Sequence, residues 1–116
     1  MGRRAAARLR LSIPARLTTL AETRMCVLLD LSCSGARIGL ETPLARGAEA
    51  FVAFADLEVF GSVVHRGPGL NGIEFDCALT HEEVLATRRY AERHEERERA
   101  ALLAQVRAWV TGGAPA

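Results

Sequence analysis

Hydrophobic and polar residues alternate strictly from position 9 to 17. Leu9, Leu11, Ile13, Ala15 and Leu17 share one side; Arg10, Ser12, Pro14 and Arg16 share the other. A period of two predicts a strand with one buried face. Pro14 has no amide to donate, which predicts an edge position or a bulge. After a turn near residues 21–23, a second strand is predicted over 24–31. Its pattern assigns Met25, Val27, Leu29 and Leu31 to one face and Cys26, Leu28 and Asp30 to the opposite one. Leu29 and Leu31 are expected to hold that strand in the core. Gly35 breaks the run, and a third strand is predicted over 36–41. Pro43 and Gly47 mark a loop over 42–47. Residues 49–54 and 57–65 predict a hairpin around Ala55 and Asp56. A Gly-Pro-Gly turn at 67–69 leads to a sixth strand over 70–77. Six short strands with few helices between them predict a mainly β, antiparallel barrel or sandwich. Closure would hide the edges that an open sheet exposes.

At Thr80 the pattern changes. Thr80 and Glu83 have the spacing of a capping box. No proline or glycine follows until Gly112, so a helix to about Val110 is predicted, roughly 45 Å long at ~1.5 Å per residue. Val84, Leu85 and Tyr90 are expected to pack on the strands. Residues 92–99 are charged all round, and Leu102, Leu103, Val106, Trp109 and Val110 then restore an apolar stripe. A stripe beyond a solvated segment needs a cover, which suggests self-association or folding back. The chain thus divides into a flexible basic arm (1–8), a β-domain (9–79), a helix (80–111) and a disordered tail (112–116).

A length of 116 residues with 49% hydrophobic residues fits one domain with a modest core. No apolar run reaches the ~18 residues of a spanning helix, so membrane insertion is not expected. The N-terminal arginines lack the pattern of a secretion signal. Cys26, Cys33 and Cys77 fit neither a disulfide framework nor a zinc site. A cytoplasmic protein with passive thiols follows, with redox sensitivity of Cys33 as the alternative. His65, His81 and His94 are scattered and do not suggest a metal.

The formal net charge of +1 hides an asymmetry, because five arginines precede the first acid, Glu22. A positive arm can bind phosphate on a nearly neutral chain. Arg4 and Arg8 form an Arg-x-x-x-Arg motif in that arm. Asp30, Ser32 and Gly35 form an Asp-x-Ser-x-x-Gly motif at the end of the second strand. Asp30 and Ser32, two apart, point to the same side of an extended chain. Gly35 allows a tight turn and close approach of a ligand. An arginine fork matches guanine O6 and N7, and a carboxylate such as Asp30 accepts from the donors of the Watson–Crick edge. Phosphates take the remaining guanidinium donors. The physics allows a guanine nucleotide without selecting one.

The stretch from Arg4 to Arg8, followed by Leu-Arg-Leu-Ser-Ile-Pro-Ala, resembles the opening of a PilZ domain. Residues 30–36 resemble the second motif of that family, and residues 61–65 and 72–75 its later strand patterns. The resemblance covers about the first eighty residues. It implies a six-stranded antiparallel PilZ-type β-barrel with a long C-terminal helix, binding cyclic di-GMP. It also implies a ligand set of Arg4, Arg8, Asp30, Ser32 and Gly35. Two further contacts are implied: Arg3, where a basic residue accompanies a stacked ligand pair, and His65, where some members place a tryptophan. Family members often sit within larger proteins, so output is expected to pass through an unidentified protein effector.

The leading reading is a non-enzymatic receptor whose arm is ordered by cyclic di-GMP. The alternative is a PilZ-fold adaptor with little or no nucleotide binding. A nucleic-acid-binding barrel has only the arm in its favour, because aromatic residues make up just 5% of the chain and stacking platforms need more. No cofactor and no catalytic constellation is evident: a nucleophile–base pair, metal cluster or phosphate-cradling loop is missing.

Overall fold

The computed structural model describes residues 8–110. The strands are β1 (Leu9–Thr18), β2 (Thr23–Leu31), β3 (Gly35–Gly39), β4 (Glu49–Phe54), β5 (Leu57–Gly67) and β6 (Leu70–Phe75), followed by helix α1 (His81–Val110). They close into an antiparallel barrel in the order β1-β2-β3-β6-β5-β4. The expectations for Arg3, Arg4 and the tail at 112–116 lie outside the described residues.

The alternation in β1 holds: Ile13, Ala15 and Leu17 are buried, Leu11 packs half-buried against the same core, and Leu9 is half-buried. Pro14 opposes Val27 of β2, ahead of the three residues Arg16, Leu17 and Thr18 that pair with β4. Pro14 itself thus lies where β1 has no pairing on its β4 side.

The face assignment of β2 is reversed. Cys26 and Leu28 point inward, whereas Met25 is 66% exposed and Val27 also faces out. Apolar residues occupy both faces of this strand, so a period of two does not say which face is inside. The register on β3 shifts between Leu28 and Asp30. This bulge lets Asp30 and Leu31, adjacent in sequence, both be buried. An extra residue in one strand re-aims the side chains that follow it.

β6 lies close to both its neighbours. A Cβ at Gly35 of β3 would fall on the Ile73 carbonyl oxygen, and one at Gly61 of β5 on the Glu74 carbonyl oxygen. Asn71 is fully buried. Its side chain accepts from the Leu44 amide at 2.7 Å and donates to the Leu44 and His65 carbonyls at 3.1 and 3.2 Å. One amide thus pins the loop after β3 to β5 and β6. Among the described residues, no buried side-chain polar atom lacks a hydrogen bond.

The helix begins as its sequence predicts. The Glu83 amide donates to Thr80 Oγ1 at 3.0 Å, and the Thr80 amide donates to Glu83 Oε1 at 2.9 Å. Val84, Tyr90 and Ala91 pack against the barrel core, and the helix lies along β1. Leu85 does not join them and is 46% exposed; the fully buried residue is Thr87. Three residues on from Val84, Thr87 shares its face, while Leu85 is turned ~100° away. The Thr87 hydroxyl is satisfied by donating to the Glu83 carbonyl at 2.9 Å. Leu102, Leu103, Val106, Trp109 and Val110 are all exposed, Trp109 by 81%. Among the described residues, no helix is long and apolar enough to cross a membrane.

Candidate functional site

The bulge in β2 delivers Asp30 to the end of the barrel where β1 begins. There Arg8 Nη1 donates to Asp30 Oδ1 at 3.0 Å. The carboxylate side chain is only 11% exposed and the arginine 57%. Asp30 thus acts as a fixed anchor, while much of the guanidinium remains open to solvent.

Beyond Leu31 the chain turns sharply. The Ser32 amide donates to the Gly35 carbonyl at 2.9 Å. The Ser32 hydroxyl in turn accepts from the amides of Ser34 and Gly35 at 3.3 and 3.2 Å. A hydroxyl bonding amides two and three residues on is a local turn device. The same hydroxyl donates to the Gly35 carbonyl at 3.4 Å, so it closes the loop in both directions. Gly35 fits here because β6 leaves no room for a Cβ.

A cavity of about 260 Å³ opens beside this loop and touches Arg8, Ser32, Gly35 and His65. The structure thus brings four of the sequence-proposed residues to one hollow, with Asp30 behind Arg8. His65 reaches it because the pairing of β5 with β6 shifts between Val63 and His65. Asn71 holds the His65 carbonyl at that irregularity. Arg3 and Arg4 lie outside the described residues.

Two residues in the cavity wall, Arg37 and Glu74, escaped the sequence reading. Each sits on the solvent side of an alternating strand, where a charge is unremarkable. Only strand pairing across β3, β6 and β5 gathers them. On the other side of Arg8, a second cavity of about 280 Å³ separates the loop from α1 and touches Cys33, His81 and Arg88. There Cys33 Sγ lies 3.9 Å from His81 Nδ1. Larger hollows of about 510 and 590 Å³ lie at the β4–β5 hairpin and between β1 and α1. They hold neither motif loop nor Arg8.

A family model described as the PilZ domain matches residues 2–94. The chain belongs to the PilZ domain family. Among solved structures, the PilZ chain is similar to the Borreliella burgdorferi PlzA protein crystallised in complex with c-di-GMP. The TM-score is 0.57 at 18% identity, covering 77% of this chain and 41% of that one. It is also similar to the PilZ domain of CeSA from a cellulose synthesizing bacterium, with a TM-score of 0.51 at 16% identity, covering 77% and 98%. At these identities the likeness establishes the PilZ barrel. The chain spans less than half the length of the PlzA chain. A search of curated protein sequences found no match.

Proposed function

We propose that this PilZ protein is a non-enzymatic receptor for cyclic di-GMP. The observation that carries this reading is the Arg8–Asp30 pair at 3.0 Å, with Arg8 in the wall of the hollow that Ser32, Gly35 and His65 share. An exposed guanidinium held by a nearly buried carboxylate is oriented without being used up. Its remaining donors suit a phosphate or the O6/N7 edge of guanine. Arg4 adds a second fork from the arm, and Arg3 and His65 are further contacts.

Ligand binding orders the arm against the barrel and changes the surface beside α1. Such a relay works only if the ligand favours the ordered state. The receptor acts in the cytoplasm and passes its signal to a protein effector. The exposed stripe on α1 supports a second reading, an adaptor that works through protein contacts with little nucleotide binding.

Calorimetry separates the two. Wild type is titrated with cyclic di-GMP, GTP and cyclic di-AMP, and Arg8→Ala with cyclic di-GMP. Cyclic di-GMP is expected to bind best. Arg8→Ala is expected to weaken it about tenfold or more, the usual worth of a charge-assisted hydrogen bond. Equal affinity of wild type and variant rules out the receptor mechanism.

A further inference from the structure

On the outer face of the barrel, three side chains surround a bare stretch of backbone. Arg37 of β3 stands opposite Gly72 of β6, and Gly72 stands opposite His65 of β5. Glu74, two residues on along β6, stands opposite Gly35. Alternate residues of a strand share a face, so Glu74 emerges beside the gap at Gly72. Arg37, His65, Gly72 and Glu74 all line the cavity next to Arg8. The floor at Gly72 is bare, and a Cβ there would crowd His65 Cβ at 3.1 Å.

The charges in this hollow are divided. Arg37 opposes Asp30 across β2–β3, and Asp30 holds Arg8, so the two guanidiniums occupy one side. His65 and Glu74 belong to β5 and β6 on the other. Among the described residues, the side chains of Arg37 and Glu74 have no hydrogen bond or ion pair. Asp30, by contrast, is nearly buried and engaged with Arg8. The uncommitted carboxylate in this cavity is that of Glu74.

We propose that Glu74 reads the guanine base of the ligand, while Arg37 joins Arg8 in holding its phosphates. The acceptor role that the sequence suggested for Asp30 thus passes to Glu74. This inference rests on the receptor reading above. A flat base laid over Gly72 turns its edge to Glu74. The Watson–Crick edge of guanine offers two neighbouring donors, N1–H and N2–H, which one carboxylate accepts together. Adenine presents a bare N1 acceptor there, which the carboxylate repels. Discrimination built on an unpaired polar group is steep, because the wrong base leaves that group unsatisfied.

The test is competition calorimetry with cyclic di-GMP and cyclic di-AMP on wild type, Glu74→Gln, Arg37→Met and Arg8→Ala. Both new positions are solvent-exposed, and a circular dichroism melt checks that the variants remain folded. Glu74→Gln is expected to weaken cyclic di-GMP about tenfold and to narrow its advantage over cyclic di-AMP. Arg37→Met is expected to weaken both dinucleotides to a similar degree. If Glu74→Gln binds both as wild type does, or loses both equally, the assignment of Glu74 is overturned. Loss of cyclic di-GMP by Arg8→Ala in that same experiment would leave the receptor reading standing. A wild type that binds no cyclic di-GMP overturns both.

Discussion

The Leu79 amide donates to the Cys33 carbonyl at 2.8 Å. Cys33 lies inside the loop that follows Asp30, and Leu79 lies just ahead of α1. The Phe75 amide makes a parallel bond to the Ser34 carbonyl at 2.9 Å. Motif loop and helix start are therefore stitched by backbone hydrogen bonds. A ligand that steadies the loop restrains the local opening of these bonds. Cyclic di-GMP is expected to slow amide exchange at Phe75, at Leu79 and in the first turn of α1, while β4 is unaffected. Hydrogen-exchange NMR checks this. Unchanged protection at Leu79 would show that the helix does not sense the site.

Gly35→Ala is expected to destabilise the barrel whether or not ligand is present. The new methyl group meets the Ile73 carbonyl oxygen, a rigid neighbour that cannot rotate away. Overpacking of this kind costs about 1–3 kcal/mol, or several degrees in the melting midpoint of a domain this size. Urea titration of the free protein measures it. An unchanged midpoint would mean that β3 and β6 separate easily. Loss of binding in this variant alone would not identify Gly35 as a ligand contact.

Burial pushes the Cys26 thiol up from 9.0 to about 11, against a smaller downward pull from Arg24. The unfolded thiol ionises near its ordinary value, so the folded state keeps the proton longer. The resulting stabilisation is complete below about pH 9 and is lost as pH rises through about 11. Denaturant midpoints measured across this window are expected to fall more steeply for wild type than for Cys26→Ala. Parallel slopes would remove Cys26 from the alkaline transition. The Cys77 thiol is exposed and is expected to react with alkylating reagents well before Cys26.

The apolar stripe at the far end of α1 is expected to mediate self-association. Leu102, Leu103, Val106 and Trp109 are exposed within two turns. Sedimentation at tens of micromolar is expected to give a dimer or larger species for wild type and a monomer for Leu103→Glu combined with Val106→Glu. A monomeric wild type would leave the stripe to a different protein.

Much of this molecule is legible locally. The alternation of β1 and the reciprocal Thr80–Glu83 cap depend on neighbours within a few residues, and both appear where the sequence puts them. β2 misleads because apolar residues occupy both its faces and because one bulge reorients Asp30. Leu85 misleads because a helix face excludes a residue one position from its centre line. In the candidate site, the motif residues announce themselves by spacing. Arg37, Glu74 and Asn71 do not, since their places at the hollow and in the barrel arise from pairing between strands remote in sequence. His65 is intermediate: its strand is readable, but the irregularity that aims it is not.

The ring of strands is joined between β1 and β4 by three residue pairs: Arg16 with Ala53, Leu17 with Val52, and Thr18 with Phe51. That short zipper is at the opposite end of β1 from Arg8. Thermal fraying of the wall begins where the stitching is sparsest. The barrel is therefore expected to open first at the end away from Arg8, and a tag or fusion beside Thr18 to loosen the cylinder before it disturbs the hollow around Arg8.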